Sequence, residues 1–206
     1  MKTENKLINR GGYSIKDGVV STAQRNGIWT KQDAEHHQVS EKLAKWIIKI
    51  MYMYGLKTFC DFGCGNGYYV NQLLKEYDEF YGIGIEGNAQ GIEYPTNIFI
   101  QDLTKKLNLS HDLSISLEVG EHLPKEAQEV FMSNVCDSAK QMLILSWAEI
   151  GQAGIGHVNC RSQEDVIQDV ESRGFVLDKE WTPDARQNID DNCDWFRRTL
   201  LIFKRK

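Results

Sequence analysis

Apolar positions along the chain switch between two periods, 3.6 residues and 2, and the switching predicts helices interleaved with strands. Val39, Leu43, Trp46, Ile47 and Ile50 stand at offsets of 4, 7, 8 and 11 and mark one face of a first helix. A capping-box pattern, Thr30-x-x-Asp33, opens that helix, and Gly55 lies near its end. A strand pattern covers 57–62, a helix covers 68–77 with Val70, Leu73, Leu74 and Tyr77 inward, and a second strand covers 79–86. Segments 97–103 and 113–119 read as further strands, and 141–147 as a fifth. Between the last two, 125–139 reads as a helix entered through Pro124, with Ala127, Val130, Phe131 and Val135 on one face. Ser162-x-x-Asp165 caps a helix that carries Val166, Ile167 and Val170 and stops at Gly174. Segments 175–181 and 197–203 complete seven strands, with no helical period between them. Strands alternating with helices predict an α/β fold: a mostly parallel seven-stranded sheet, right-handed crossovers and helices on both faces. The missing helix before the last strand predicts that one of the final pair runs antiparallel.

Composition narrows the class without changing the architecture. A chain of 206 residues, 41% hydrophobic and 26% charged with 17 Gly and 3 Pro, is an ordinary globular protein, long enough for one fully cored domain. No apolar run approaches the roughly 18–20 residues of a membrane span. The first ten residues are too polar for a secretory signal, so the expected location is the cytoplasm, with no membrane partner. Five cysteines, at 60, 64, 136, 160 and 193, lack any Cys-x-x-Cys spacing and read as reduced thiols. The polar segment 1–29, with Gly11 and Gly12 inside it, reads as an extension or lid ahead of a single domain over 30–206. Twenty-four Lys and Arg against 29 Asp and Glu give a net charge of −5, which argues against a broad electrostatic face for nucleic acid.

The chemistry concentrates where strands should end. Asp61-Phe-Gly63-Cys64-Gly65-Asn-Gly67 follows the first strand and opens the next helix, and glycines there let backbone approach a ligand closely. A dinucleotide fingerprint would need its third glycine at 68, where Tyr68 stands, and Asp61 would repel a pyrophosphate. A nicotinamide dehydrogenase is therefore disfavoured, and a ligand with a cationic amine fits better. Glu86 ends the second strand, 23 residues after Gly63, where an acid receives ribose hydroxyls; Gly87 follows it. Asp102 and Leu103 close the third strand, where a carboxylate and neighbouring amides read an exocyclic amine. All three acids fall on the edge where open α/β sheets bind ligands.

On these residues the chain resembles the class I S-adenosylmethionine-dependent methyltransferases over roughly residues 30–206. The resemblance implies a Rossmann-like fold, with Asp61, Gly63, Cys64, Gly65 and Gly67 as the first motif, Glu86 and Gly87 at the ribose, and Asp102 and Leu103 at the adenine. It implies S-adenosylmethionine as cofactor, with Glu118 and Val119 also lining it. Ser116-Leu-Glu118-Val-Gly-Glu121-His122-Leu-Pro124 is similar to the Glu-x-x-Glu-His sequence of small-molecule O-methyltransferases and of small-RNA terminal 2′-O-methyltransferases. That similarity implies a divalent metal, Mg or Mn, on Glu118, Glu121, His122 and the later His157, where oxygen and imidazole ligands suit such a cation. The plainer alternative leaves Glu121 and His122 to cap the next helix.

The resemblance to O-methyltransferases makes a hydroxyl the expected acceptor, with His157, His122 and Glu121 as the catalytic candidates. Leu117-Glu118-Val119-Gly120 departs from the proline-rich segment of amino-group methyltransferases. The loop 146–159, which carries His157, resembles small methyltransferases of surface carbohydrate, so a small molecule or glycan unit is the expected partner. The alternatives are a short RNA methylated on a 2′-hydroxyl and a non-catalytic cofactor-binding protein. His36 and His37 are expected on the surface of the first helix, and Trp29 and Trp147 in the core.

Overall fold

A computed structural model describes residues 15–16, 19–20, 27–29, 37–76 and 80–206. Thr30, Asp33, His36 and Tyr77 lie outside the described residues, as does most of the segment expected to be a lid. Within that segment, Ile15–Lys16 and Val19–Val20 pair as a short antiparallel ribbon.

Seven strands form the main sheet: β1 Thr58–Phe62, β2 Tyr81–Glu86, β3 Ile98–Ile100, β4 His111–Leu117, β5 Ala139–Ser146, β6 Phe175–Leu177 and β7 Leu201–Arg205. Their order across the sheet is β3-β2-β1-β4-β5-β7-β6. Pairings from β3 through to β5 are parallel, while β7 runs antiparallel to both β5 and β6. The expected antiparallel member is thus β7, inserted between its two neighbours. The connections reverse direction between β1 and β4, which opens a crevice at the carboxyl ends of those strands.

Both faces of the sheet are buried, so its strands read as apolar on both sides. Phe59, Leu113, Ile115, Met142, Ile144 and Ile202 face a core built with α1 (Glu41–Met53) and α2 (Tyr68–Glu76). Cys60, Phe62, Leu143, Leu145, Leu201 and Phe203 face the other core, built with α3 (Gln128–Ser138) and α4 (Gln163–Ser172). All five cysteines are free thiols. No helix of the described residues is long and apolar enough to cross a membrane.

Several element ends move from where the periodicity puts them. Helix α1 starts at Glu41, because the Ser40 hydroxyl accepts from the Leu43 amide at 3.2 Å and caps it; Val39 stays outside. The third strand shrinks to three residues, and the segment after Pro124 begins as a 3₁₀ turn, Lys125–Ala127, before α3. Two short helices, α5 (Trp181–Gln187) and α6 (Phe196–Thr199), lie where the pattern shows none. Asp178 Oδ1 accepts from the amides of Glu180 and Trp181, turns the chain out of β6 and starts α5, whose first turn tolerates Pro183. Seven and four residues are too few to register a helical period.

Phe131 is fully buried on α3 and packs edge-on against Trp147 at 5.8 Å. Phe131→Ala is expected to cost about 3–5 kcal/mol of unfolding free energy. A urea titration giving a loss below about 1 kcal/mol would place this side chain outside the cooperative core.

Candidate active site

A cavity of about 720 Å³ opens at the carboxyl ends of β1, β2 and β4, the crevice that the strand order creates. Its floor is the turn between β1 and α2. Gly63 and Gly65 take positive φ values of 79° and 57°, in the region that favours glycine. A Cβ on Gly63 would stand 2.5 Å from Val119, and one on Gly65 would stand 2.9 Å from His37. Both glycines line the cavity, with Cys64 between them. Gly67 serves packing instead, since a side chain there would strike the Tyr94 carbonyl, and the neighbouring Asn66 carbonyl accepts from the amides of Glu93 and Tyr94. It therefore lets the loop after β2 lie against the turn.

Glu86, at the end of β2, ties the turn down. Its Oε2 accepts from the Gly65 amide at 2.9 Å and its Oε1 from the Asn88 amide at 2.8 Å. Burial raises its pKa, and those amides partly offset the rise. Asp61 lies beside it, 2% exposed, with Oδ2 lacking any hydrogen-bond partner. Burial first, and then the Glu86 charge, push the Asp61 carboxyl up to about 8. A carboxyl oxygen left without a partner at the wall of a cavity is a group that a cation would suit. The third expected acid turns away: Gln101 and Leu103 line the cavity, whereas Asp102 Oδ1 accepts from the Thr104 amide and hydroxyl.

Beyond β4 the chain makes a sharp turn at Glu118, φ 53°, and a 3₁₀ turn over Gly120–His122. Glu118 is held by three contacts. Its amide donates to Ser146 Oγ, Oε1 accepts from the Thr199 hydroxyl at 2.9 Å, and Oε2 accepts from the Gln152 amide group at 2.7 Å. Glu121 is fully buried behind the cavity wall, with no well-formed hydrogen bond to either carboxylate oxygen, though the Glu121 and Ala148 amides and the Glu118 carboxyl lie close by. Burial, reinforced by the Glu118 charge, raises its pKa well above the usual carboxylate value. His122 Nε2 and His157 Nε2 approach the same Glu121 Oε1 at 3.9 and 4.0 Å. One ligand atom from each of the three lies within 4.8 Å of the others. The four-residue set implied by the resemblance therefore contracts to Glu121, His122 and His157, with Glu118 engaged elsewhere.

Local structure explains why His157 arrives there. Val158 and Asn159 donate their amides to the Glu121 carbonyl, and Trp147 Nε1 donates to the Asn159 carbonyl at 2.6 Å. Trp147 also lies against Gly120, where a Cβ would collide with the indole, so one buried ring locks both loops. The His157 ring is oriented by the Gln152 carbonyl, which accepts from Nδ1 at 3.1 Å. A carbonyl has no hydrogen to give, so Nδ1 carries the hydrogen and Nε2 keeps a lone pair toward Glu121.

No protein-family profile and no curated protein matches the chain. Solved structures do match. Magnesium protoporphyrin IX methyltransferase from Synechocystis PCC 6803 aligns over 93% of this chain and 90% of its own, at 20% identity and a TM-score of 0.56. The sugar N-methyltransferase from Streptoalloteichus sp. aligns over 81% and 87%, at 12% identity and a TM-score of 0.60. The methyltransferase domain of a bacterial Hen1 protein aligns over 79% and 95%, at 15% identity and a TM-score of 0.55. The fold is that of class I S-adenosylmethionine-dependent methyltransferases.

In this methyltransferase fold, residues ahead of α1 form part of the cavity wall. Gly27, Ile28, Trp29, His37, Gln38 and Val39 all line it. His37 precedes the first helix rather than riding on it; its ring stacks on Trp29, centroids 4.9 Å apart and planes 11° from parallel. Burial holds the His37 imidazole below its usual range. Trp147 is a core residue as expected, but Trp29 is not: its Nε1 donates to His122 Nδ1 at 3.3 Å. Residues from α6 and its approach, Trp195, Phe196 and Arg198, close the opposite wall. Their contribution leaves no motif, because it depends on the sheet placing β7 beside β5.

Proposed function

We propose that the protein transfers the methyl group of S-adenosylmethionine to a hydroxyl of a small molecule or sugar unit. The observation that carries this reading is Asp61, a buried acid with a free oxygen beside the Gly63–Gly65 turn, suited to a cationic cofactor. Neighbouring structures of magnesium protoporphyrin IX methyltransferase hold S-adenosylhomocysteine or S-adenosylmethionine, and that of a polyketide O-methyltransferase holds S-adenosylhomocysteine. A cavity near 720 Å³ falls within the roughly 300–1,000 Å³ of small-ligand sites.

When bound, S-adenosylmethionine supplies an electrophilic methyl group on a sulfonium. Asp61 and Glu86 fix its orientation from the floor of the crevice, and the Gly63–Gly65 backbone admits it without a side chain in the way. Positioning the acceptor in line supplies much of the rate. With no cation in the cluster, His157 Nε2, the ring nitrogen with a lone pair, removes the acceptor proton; a cation that takes this lone pair replaces His157 as the group that activates the hydroxyl. The orphaned Glu121 oxygens and the His157 lone pair fit a divalent cation such as Mg or Mn, with His122 as third ligand. A cation there would acidify an acceptor hydroxyl.

His157→Ala is expected to lower kcat about 100-fold while leaving the Kd for S-adenosylmethionine within about threefold. Equal losses in both would make His157 a structural residue of the cofactor site. A second reading, methylation of a short RNA, is favoured by the similarity to the Hen1 methyltransferase domain and to a small RNA methyltransferase. A methyl-transfer screen over glycosides, phenols and short RNAs, with and without chelator, separates the readings. Transfer to a glycoside or phenol is the expected result. Transfer to RNA alone establishes the second reading, and tight S-adenosylhomocysteine binding without any transfer removes both.

A further inference from the structure

We infer that Trp29 is a positioning residue that keeps His122 in the tautomer unable to ligate a metal, so that the Glu121, His122, His157 cluster takes up a cation only when Trp29 withdraws. The inference deepens the proposed function and rests on its metal reading.

An indole nitrogen can only donate. With Trp29 Nε1 3.3 Å from His122 Nδ1, that Nδ1 must offer its lone pair, and the neutral ring carries its hydrogen on Nε2. Nε2 is the atom that faces Glu121, at 3.9 Å. An N–H points into the place where a cation would need a lone pair. Ligation through Nδ1 is closed as well, since the indole hydrogen occupies it. His157 has the opposite arrangement, its Nδ1 donating to the Gln152 carbonyl and its Nε2 open toward the same carboxylate oxygen. The two imidazoles, 5.1 Å apart, are therefore unequal: one accepts a proton and the other presents one to Glu121.

Trp29 is itself braced. It meets His122 edge-on at 5.0 Å and stacks on His37 at 4.9 Å, and His37 rests against Gly65 of the cofactor turn. A continuous line of contacts thus joins the glycine turn to the cluster. Hydrogen bonds to the outer ring nitrogen fix the tautomer of a metal-ligating histidine; here the donor selects the wrong tautomer for the metal and the right one for a proton-handling pair.

The test compares full-length wild type with Trp29→Phe, which keeps an aromatic ring on His37 and deletes the N–H. Trp29→Leu provides a second deletion should the first lose its dispersed NMR spectrum. Mn²⁺ affinity is measured by calorimetry, and the ring-nitrogen tautomer of His122 is read by long-range ¹H–¹⁵N NMR without metal. The expected results are Nε2–H in the wild type, a mixture in the variants, and about tenfold tighter Mn²⁺ binding once the bond is gone. Mn²⁺ bound equally by wild type and variants, or a wild-type His122 with its hydrogen on Nδ1, overturns the inference alone. Absence of Mn²⁺ binding in every protein, with Nε2–H still seen, overturns the metal reading and the switch with it.

Discussion

Glu121→Met is expected to raise the melting temperature by roughly 3–8 °C while lowering methyl transfer at least a hundredfold. The stability gain follows from burial without compensation. Glu121 is fully buried with no well-formed hydrogen bond to either oxygen, and a group in that condition costs about 1–3 kcal/mol, each worth about 2–4 °C at this chain length. Methionine has nearly the same volume and needs no partner. The pH dependence carries the same sign. Because the folded-state pKa lies above the unfolded one, the folded protein holds a proton that the unfolded chain has released. Stability therefore falls as pH rises above the unfolded value, and the variant's advantage should be larger near pH 8 than near pH 5. Activity is expected to move the other way, since on the proposed reading Glu121 Oε1, 3.9 and 4.0 Å from the His122 and His157 Nε2 atoms, completes the cluster. Thermal melts at both pH values and a transfer assay check the pair of effects. A variant that melts below wild type, or that keeps wild-type turnover, would mean that Glu121 is a structural acid.

The parts of this molecule that sequence reveals are those decided by residues near one another in the chain. Val70 and Leu73, three apart, show α2, and Ser162 before Asp165 shows the start of α4, because capping and periodicity act within a turn or two. Asp61, Gly63, Gly65 and Glu86 are legible for a related reason: parallel strands present their carboxyl ends to one crevice whatever the details of packing. What escapes is set by tertiary contact. The resemblance implies Glu118 as a metal ligand, yet Thr199, 81 residues away, and Gln152 hydrogen-bond its oxygens. His37 and Trp29 belong to the cavity because Gly65 leaves room for one ring to rest and His122 offers the other an acceptor. Asp102 matches its motif by position, but its own loop turns the carboxylate onto Thr104. Short helices α5 and α6 fail for a simpler reason, that fewer than two turns leave no period to detect.

Asp61→Asn should weaken S-adenosylmethionine binding about 100-fold and, more tellingly, abolish its pH dependence. Asp61 is buried next to Glu86 with one oxygen unpartnered, and its carboxyl is pushed up to about 8. Below that pH the empty site holds a proton. A cation arriving there favours the carboxylate, so binding must expel that proton, and each unit of pH below about 8 should weaken apparent affinity by up to about tenfold. Calorimetry near pH 7 in buffers of different ionisation heat should register close to one proton released per complex. Asparagine keeps the shape and removes both the charge and the exchangeable proton, giving a weak but flat profile. Losing one member of a buried charge pair costs about 2–5 kcal/mol, which brackets the expected hundredfold. The same protonation governs the empty fold with a definite sign: between the unfolded value of 3.8 and about 8 the folded state binds more protons than the unfolded, so stability declines with rising pH over that window. The cofactor, by pairing with the carboxylate, should erase the Asp61 share of that decline, and the melting temperature of the saturated wild type should fall less with pH than that of the ligand-free protein, the Glu121 share remaining. A wild-type Kd that stays constant from about pH 5.5 to 7.5, or an Asn variant within threefold of it, would remove Asp61 from the cofactor site and with it the central support for methyl transfer.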